Sequence, residues 1–230
     1  MSRQIVLDTE TTGLDPAQGH RVIEIGALEI LNRRITGATF HVYLNPERDI
    51  DAGALSVHGL SREFLSDKPR FADVAAEFLD FVRDAELVIH NAPFDIGFLN
   101  SELVRLDDGP MKRYCEVLDT LKLAKQLHPG QKNNLDALCR RYFVDNTGRS
   151  FHGALLDAQL LAEVYLAMTR GQESLGIEIS QPVLATGAVR RRQPGVTSML
   201  KIQRASAAEL ALHAAYLQAL GKDSGEGPIW

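Results

Sequence analysis

The sequence is poor in cysteine and tryptophan, has no long apolar run and carries no excess of positive charge. Its 230 residues include two cysteines, Cys115 and Cys139, 24 positions apart. That spacing makes neither a disulfide framework nor a CxxC metal site, so both read as small packing residues in a reducing cytoplasm. No apolar stretch approaches the roughly 18 residues that a membrane helix needs, and Met1–Glu10 lacks the basic-then-apolar build of a secretory signal. No membrane partner is expected. With 45% apolar and 24% charged residues, the composition excludes wholesale disorder and a fibrous protein. The formal net charge of −5 is unevenly spread. Residues 1–168 hold 18 Lys and Arg against 25 Asp and Glu, a net of −7; residues 169–230 hold 7 against 5, a net of +2. An acidic main part argues against a broad electrostatic footprint on duplex DNA. It leaves room for contact with phosphate through bound divalent cations.

Short runs rich in β-formers predict strands over Gln4–Asp8, Val22–Ile30, Thr39–Leu44, Leu87–His90 and Val117–Leu118. Apolar residues at three-to-four spacing predict a helix over Arg70–Asp84, carried by Phe71, Val74, Phe78, Phe81 and Val82. A second helix is predicted from Pro93, with Ile96, Leu99, Leu103 and Leu106 as its stripe. Further helices are expected near Leu121–Leu127, Leu135–Tyr142 and Ala154–Thr169. Strands first, then alternating strand and helix, point to an α/β fold: a mixed sheet with helices packed against it. Residues 1–171 form the expected domain. After Gly171 the texture changes, and Glu178–Met199, rich in Gly, Pro, Thr, Gln and Arg, reads as a flexible linker. Residues 200–230 form a tail in which Leu200 and Ile202 alternate like a short strand. Ser206–Leu220 is helical there, and Ser206 with Glu209 has capping-box spacing.

Three segments carry chemistry. In Asp8-Thr9-Glu10-Thr11-Thr12-Gly13, two carboxylates at i and i+2 of an extended chain share a face, where they repel each other. A hard divalent cation such as Mg²⁺ or Mn²⁺ turns that repulsion into attraction. The alternative is a strand end opening into a polar turn, with Gly13 allowing the bend. In His90-Asn91-Ala92-Pro93-Phe94-Asp95, the proline starts a helix and Asp95 falls in its first turn, where the helix dipole alone favours an acid. Phe94 and Phe98 are either core residues or a wedge against a base. In His152-Gly153-Ala154-Leu155-Leu156-Asp157, the carboxylate sits among leucines, a costly place unless it is paired or binds metal. A neutral His152 can accept a proton, or it is a surface histidine capping the helix.

Taken together, these segments resemble the DEDDh exonuclease family. Asp8 and Glu10 match its first motif, Asp95 its second, and His152 and Asp157 its third. The resemblance implies a ribonuclease H-like, five-stranded mixed sheet flanked by helices and two divalent metal ions. It also implies release of mononucleotides from a 3′ end, with Asp8, Glu10, Asp95 and Asp157 as metal ligands and His152 as general base. Ser56-Val57-His58-Gly59-Leu60, and a tail ending in Ile229-Trp230, narrow the likeness to the proofreading epsilon subunits of bacterial DNA polymerase III. That narrower resemblance implies that Asp8, Glu10, Thr11, Leu14, His58, Phe94 and Asp157 meet the DNA 3′ end. Its members often carry a glutamate five positions before the histidine matched by His58; here that position is Gly53. Otherwise His58 is a loop histidine bonded to backbone. Gln172, Leu175 and Ile177 resemble a peptide that binds the sliding clamp, unless they are only a frayed helix end. Leu210, Tyr216, Leu217 and Trp230 are the expected contacts to the polymerase alpha subunit, unless the tail folds back on its own domain. A small third subunit of the theta type is left open. Two other functions compete: a free-standing nuclease trimming RNA or DNA 3′ ends, and an assembly subunit with a vestigial site. The tether-like tail speaks against the first and the complete carboxylate set against the second.

Overall fold

A computed structural model describes residues 3–147, 151–170 and 205–224. The chain divides into two units, Met1–Ile177 and Glu178–Trp230. In the first unit, β1 (Arg3–Thr11), β2 (Val22–Leu31), β3 (Arg34–Tyr43), β4 (Glu86–Ile89) and β5 (Glu116–Asp119) form one mixed sheet in the order β3-β2-β1-β4-β5. The β1–β2 and β2–β3 pairs are antiparallel, and β4 and β5 join parallel to β1. The helices are α1 (Ala52–His58), α2 (Arg62–Leu65), α3 (Phe71–Val82), α4 (Ala92–Val104), α5 (Thr120–Leu127), α6 (Leu135–Tyr142) and α7 (Ala154–Met168). This is the α/β architecture that the sequence pattern points to.

Alternation along β1 decides which side chains meet which helices. Ile5 and Leu7 face a core with Phe71 and Phe78 of α3 and Phe98 and Leu99 of α4. Val6 faces the other way, into a second core with Leu138 of α6 and Leu161 and Val164 of α7. Continuing that register, Asp8 and Glu10 fall on the α7 side of the pleat and Thr9 on the α4 side. Cys115 and Cys139 are both buried. Burial pushes the Cys115 thiol up to about 11.

Several expectations need correction. β3 starts at Arg34, five residues before Thr39, because Asn32 and Arg33 both take positive φ (49° and 63°) and close a tight hairpin from β2. Its first five residues are exposed and only Ile35 among them is strongly apolar, so they carry no alternating apolar signal. The helices α1 and α2 were not anticipated, since seven- and four-residue helices are too short to show a period. Leu106 lies beyond the end of α4 and is not part of its stripe. Gly13 is not needed for its backbone conformation, since its φ is not positive. A Cβ there would fall 2.3 Å from the His20 ring, so the glycine admits that ring.

In the second unit the described part is α8 (Ala207–Ser224), whose start carries the expected capping box. Ser206 N–H donates to Glu209 Oε2 at 2.7 Å, and Glu209 N–H donates to Ser206 Oγ at 3.3 Å. Leu210, Leu212 and Tyr216 are exposed, whereas Leu217 is half-buried. The linker, Leu200, Ile202, Gln172, Leu175, Ile177 and Trp230 lie outside the described residues. Among the described residues, no helix is long and apolar enough to cross a membrane.

Candidate active site

The end of β1 and the starts of α4 and α7 build the site. Asp157 lies in the first turn of α7 and is buried. His152, two residues before Ala154, is 46% exposed and sets its Nδ1 3.2 Å from Asp157 Oδ2. Glu10, on the α7 side of β1, completes a group: one ligand atom each from Glu10, His152 and Asp157 lie within 4.8 Å of one another. Two carboxylates and an imidazole gathered so closely fit a hard divalent cation, which removes the repulsion between the acids. His152 does not act as a helix cap, because the N-cap of α7 is Gly153 and no side chain caps it. The His152 N–H instead donates to the Val57 carbonyl at 3.1 Å, tying the loop before α7 to the last turn of α1.

Asp8 is half-buried and pairs in register with Gly26 of β2. Asp95 is buried in the first turn of α4. Thr9 Oγ1 donates to Asp95 Oδ1 at 2.7 Å, so the residue between Asp8 and Glu10 holds the acid of the second motif. Burial pushes the Asp95 carboxyl up to about 7, against the Thr9 hydrogen bond and with a smaller contribution from the charge of Asp119. The α4 entry is unusual. Asn91 adopts φ 69° at the N-cap, which turns the chain sharply out of β4 before Pro93 and Asp95.

Beside Glu10 opens a cavity of about 440 Å³, lined among others by Thr11, Leu14, Gly53, His58 and Phe94. Leu14 is 85% exposed at its rim. Phe98 is core, while Phe94 is only partly buried, packs on Phe98 at 5.0 Å between ring centres and faces the cavity. His58 ends α1 rather than sitting on a loop, and it is buried. Its Nδ1 accepts from Leu60 N–H at 2.9 Å, which places the ring proton on Nε2. Among the described residues that buried Nε2 has no partner in full hydrogen-bond geometry, although the Thr11 carbonyl acts on the ring. Burial holds the His58 imidazole below the ordinary histidine range, outweighing the Thr11 carbonyl, and the charge of His152 acts in the same direction. The neutral imidazole lines the cavity with its Nε2 buried.

The sequence reading missed three contributors. Thr9 stands inside the first motif, but its bond to Asp95 joins residues 86 positions apart. His20 Nδ1 lies 3.0 Å from Thr12 Oγ1 and its Nε2 3.5 Å from Asp51, pinning the turn that carries Leu14. Gly26 supports the start of α7. Nothing local distinguishes these residues from other polar or small ones.

Comparisons with known proteins identify the family. The family described as Exonuclease (RNase T) matches residues 5–165. The DNA polymerase III subunit epsilon of Salmonella typhimurium is 51% identical over 98% of this chain and 96% of its own length. That of Escherichia coli K12 is 49% identical over the same shares. Among solved structures, exonuclease X in complex with 5′ overhanging duplex DNA has a TM-score of 0.58 and 25% identity, over 72% of this chain and 90% of that one. The exonuclease I–single-stranded DNA complex of E. coli shares the fold, with a TM-score of 0.67 at 18% identity over 75% of this chain and 41% of that one. The chain belongs to the exonuclease family and, within it, to the DNA polymerase III epsilon subunits.

Proposed function

We propose that this chain is the 3′–5′ proofreading exonuclease of a bacterial replicative polymerase, removing mispaired 3′ nucleotides as 5′-monophosphates. The observation that carries the reading is the meeting of Glu10, Asp157 and His152 beside a cavity of nucleotide size. Asp8, Glu10 and Asp157 are the residues to hold two divalent cations, Mg²⁺ or Mn²⁺, with Asp95 completing the set directly or through water. When bound, such cations activate water and stabilise charge on the phosphoryl group and the leaving oxygen. His152, half in solvent and oriented by Asp157, accepts the proton of the attacking water. Leu14 and Phe94 hold the terminal base by apolar contact and stacking, and His58 Nε2–H donates to the terminal nucleotide. Thr11, on the cavity wall, meets the same nucleotide. A paired end must melt to enter the cavity, so a mispaired end enters more easily. Discrimination then needs no base-specific contact.

The remaining contacts belong to the segment after Gly171. Gln172, Leu175 and Ile177 dock on the sliding clamp. Leu210, Tyr216, Leu217 and Trp230 bind the polymerase alpha subunit, and the exposed apolar residues of α8 support that role. The catalytic reading is tested by digesting 3′- and 5′-labelled DNA with Mg²⁺ or Mn²⁺ and identifying the products. Mononucleotides are expected from the 3′ end alone; oligonucleotides or release from the 5′ end would refute it. A chain truncated after residue 178 should keep the full rate on free 3′ ends yet no longer co-purify with the polymerase.

A further inference from the structure

A second cavity, of about 560 Å³, opens near the first and is lined by four arginines, Arg21, Arg48, Arg62 and Arg105, together with Glu47 and Asp49. This is a concentration of positive charge on a part of the chain whose net charge is −7. The four are not equivalent. Arg21 is committed to the buried Glu102, donating from Nε and Nη2 at 2.7 Å each, and that carboxylate holds its guanidinium above the ordinary arginine value. Arg62 is paired with Asp49. Among the described residues Arg48 reaches only backbone carbonyls, Asp49 O at 3.3 Å and Gln18 O at 3.4 Å. Arg105, exposed beyond the end of α4, has no side-chain hydrogen bond or ion pair among the described residues. Two arginines thus line one cavity without a carboxylate of their own among the described residues.

Neighbouring residues of one segment line the arginine cavity and the active-site cavity. Pro46–Asp49 line the first, while Asp51 and Gly53 line the second, so one short segment separates them. That segment is fixed on the active-site turn, because Asp51 N–H donates to the Thr12 carbonyl at 3.0 Å. We infer that Arg48 and Arg105 grip backbone phosphates of the DNA strand whose 3′ end occupies the active site. The inference rests on the exonuclease reading of that site. A strand leaving the site needs cationic contacts that the acidic domain offers in few places, and guanidinium groups suit phosphate oxygens. Each phosphate contact on a single strand also contributes a salt dependence, about −0.7 per contact in log K against log salt.

The test compares the full-length chain with Arg48→Ala/Arg105→Ala. Binding of a fluorescent single-stranded oligonucleotide is followed by anisotropy with Ca²⁺ present, over a range of salt. Hydrolysis of a mononucleotide aryl ester, too short to reach the arginines, is measured in parallel with Mg²⁺. The double variant is expected to bind the oligonucleotide roughly tenfold more weakly at low salt, with the salt slope reduced by about 1.4. Ester hydrolysis should be unchanged, and Arg48→Lys/Arg105→Lys should restore most of the affinity and the slope. Unchanged oligonucleotide affinity and slope in the alanine variant would overturn the inference, and so would an equal loss on the ester. Failure of the wild-type chain to hydrolyse the ester would instead count against the exonuclease reading, with the anisotropy result still deciding the arginine site.

Discussion

Gly26 of β2 lies so close to Leu155 at the start of α7 that a Cβ on it would fall 2.1 Å from the Leu155 nitrogen. Gly26 is also the register partner of Asp8. The sheet position opposite one carboxylate is therefore the one against which the helix bearing another is seated. The close approach lets the first turn of α7 bring Asp157 towards Glu10.

Gly26→Ala must push α7 away from the sheet. Overpacking of this kind costs typically about 1–3 kcal/mol. The variant is expected to melt several degrees lower and to lose most of its nuclease rate, since His152 and Asp157 move with the helix. Gly153→Ala serves as a control, because nothing lies within 4 Å of a Cβ at that position. Near-normal melting and rate in Gly26→Ala would show that α7 does not depend on this contact.

Asp95 makes the metal-free fold sensitive to pH. Its carboxyl is raised from an ordinary 3.8 to about 7 in the fold. Between those values the unfolded chain has lost the proton and the folded one keeps it, so stability falls as pH rises through that window. Asp95→Asn removes this dependence while keeping an acceptor for Thr9. In chelator, the variant should gain little in Tm near pH 4 and most above pH 7. A gain that shrank with rising pH would contradict the cause assigned to the shift.

His152→Ala tests the proton acceptor. A general base contributes roughly 10²–10⁴-fold, and the variant should lose about that much in rate. Divalent-cation binding, read by calorimetry, should persist through the carboxylates. If the rate stayed within a factor of a few, His152 would only be a partner for Asp157.

Gly53→Glu fills an open position on the cavity wall. A Cβ at Gly53 meets nothing within 4 Å, and the residue lies in the first turn of α1, where the helix dipole favours an acid. The substitution should raise Tm slightly and lower KM for a terminal nucleotide by adding an acceptor beside His58. A raised KM would show that the glycine is needed to admit the nucleotide.

Much of the site was legible because its parts are local. Asp8 and Glu10 occupy alternate positions on one strand, and Asp95 and Asp157 each fall in the first turn of a helix whose start can be read from Pro93 or Gly153. The sheet was legible where strands are apolar, as in Ile5–Leu7 and Leu87–Ile89. It was not where a strand is exposed and lacks alternating apolar residues, as at the start of β3. Contacts made across the fold were silent too. Thr9 to Asp95, His152 to Val57 and Gly26 to Leu155 each join residues far apart in the chain, and neither composition nor period marks them.

The most direct measurement is the single-turnover rate of mononucleotide release from matched and mispaired 3′ ends, for the wild-type chain and Asp8→Ala, with and without Mg²⁺. The wild-type chain should release 5′-monophosphates only with the cation, and faster from the mispaired end. Asp8→Ala should release none while melting, in chelator, at or above the wild-type temperature, because a crowded carboxylate has been removed. Wild-type release by Asp8→Ala, or release that needs no divalent cation, would contradict a carboxylate-held metal site at the end of β1.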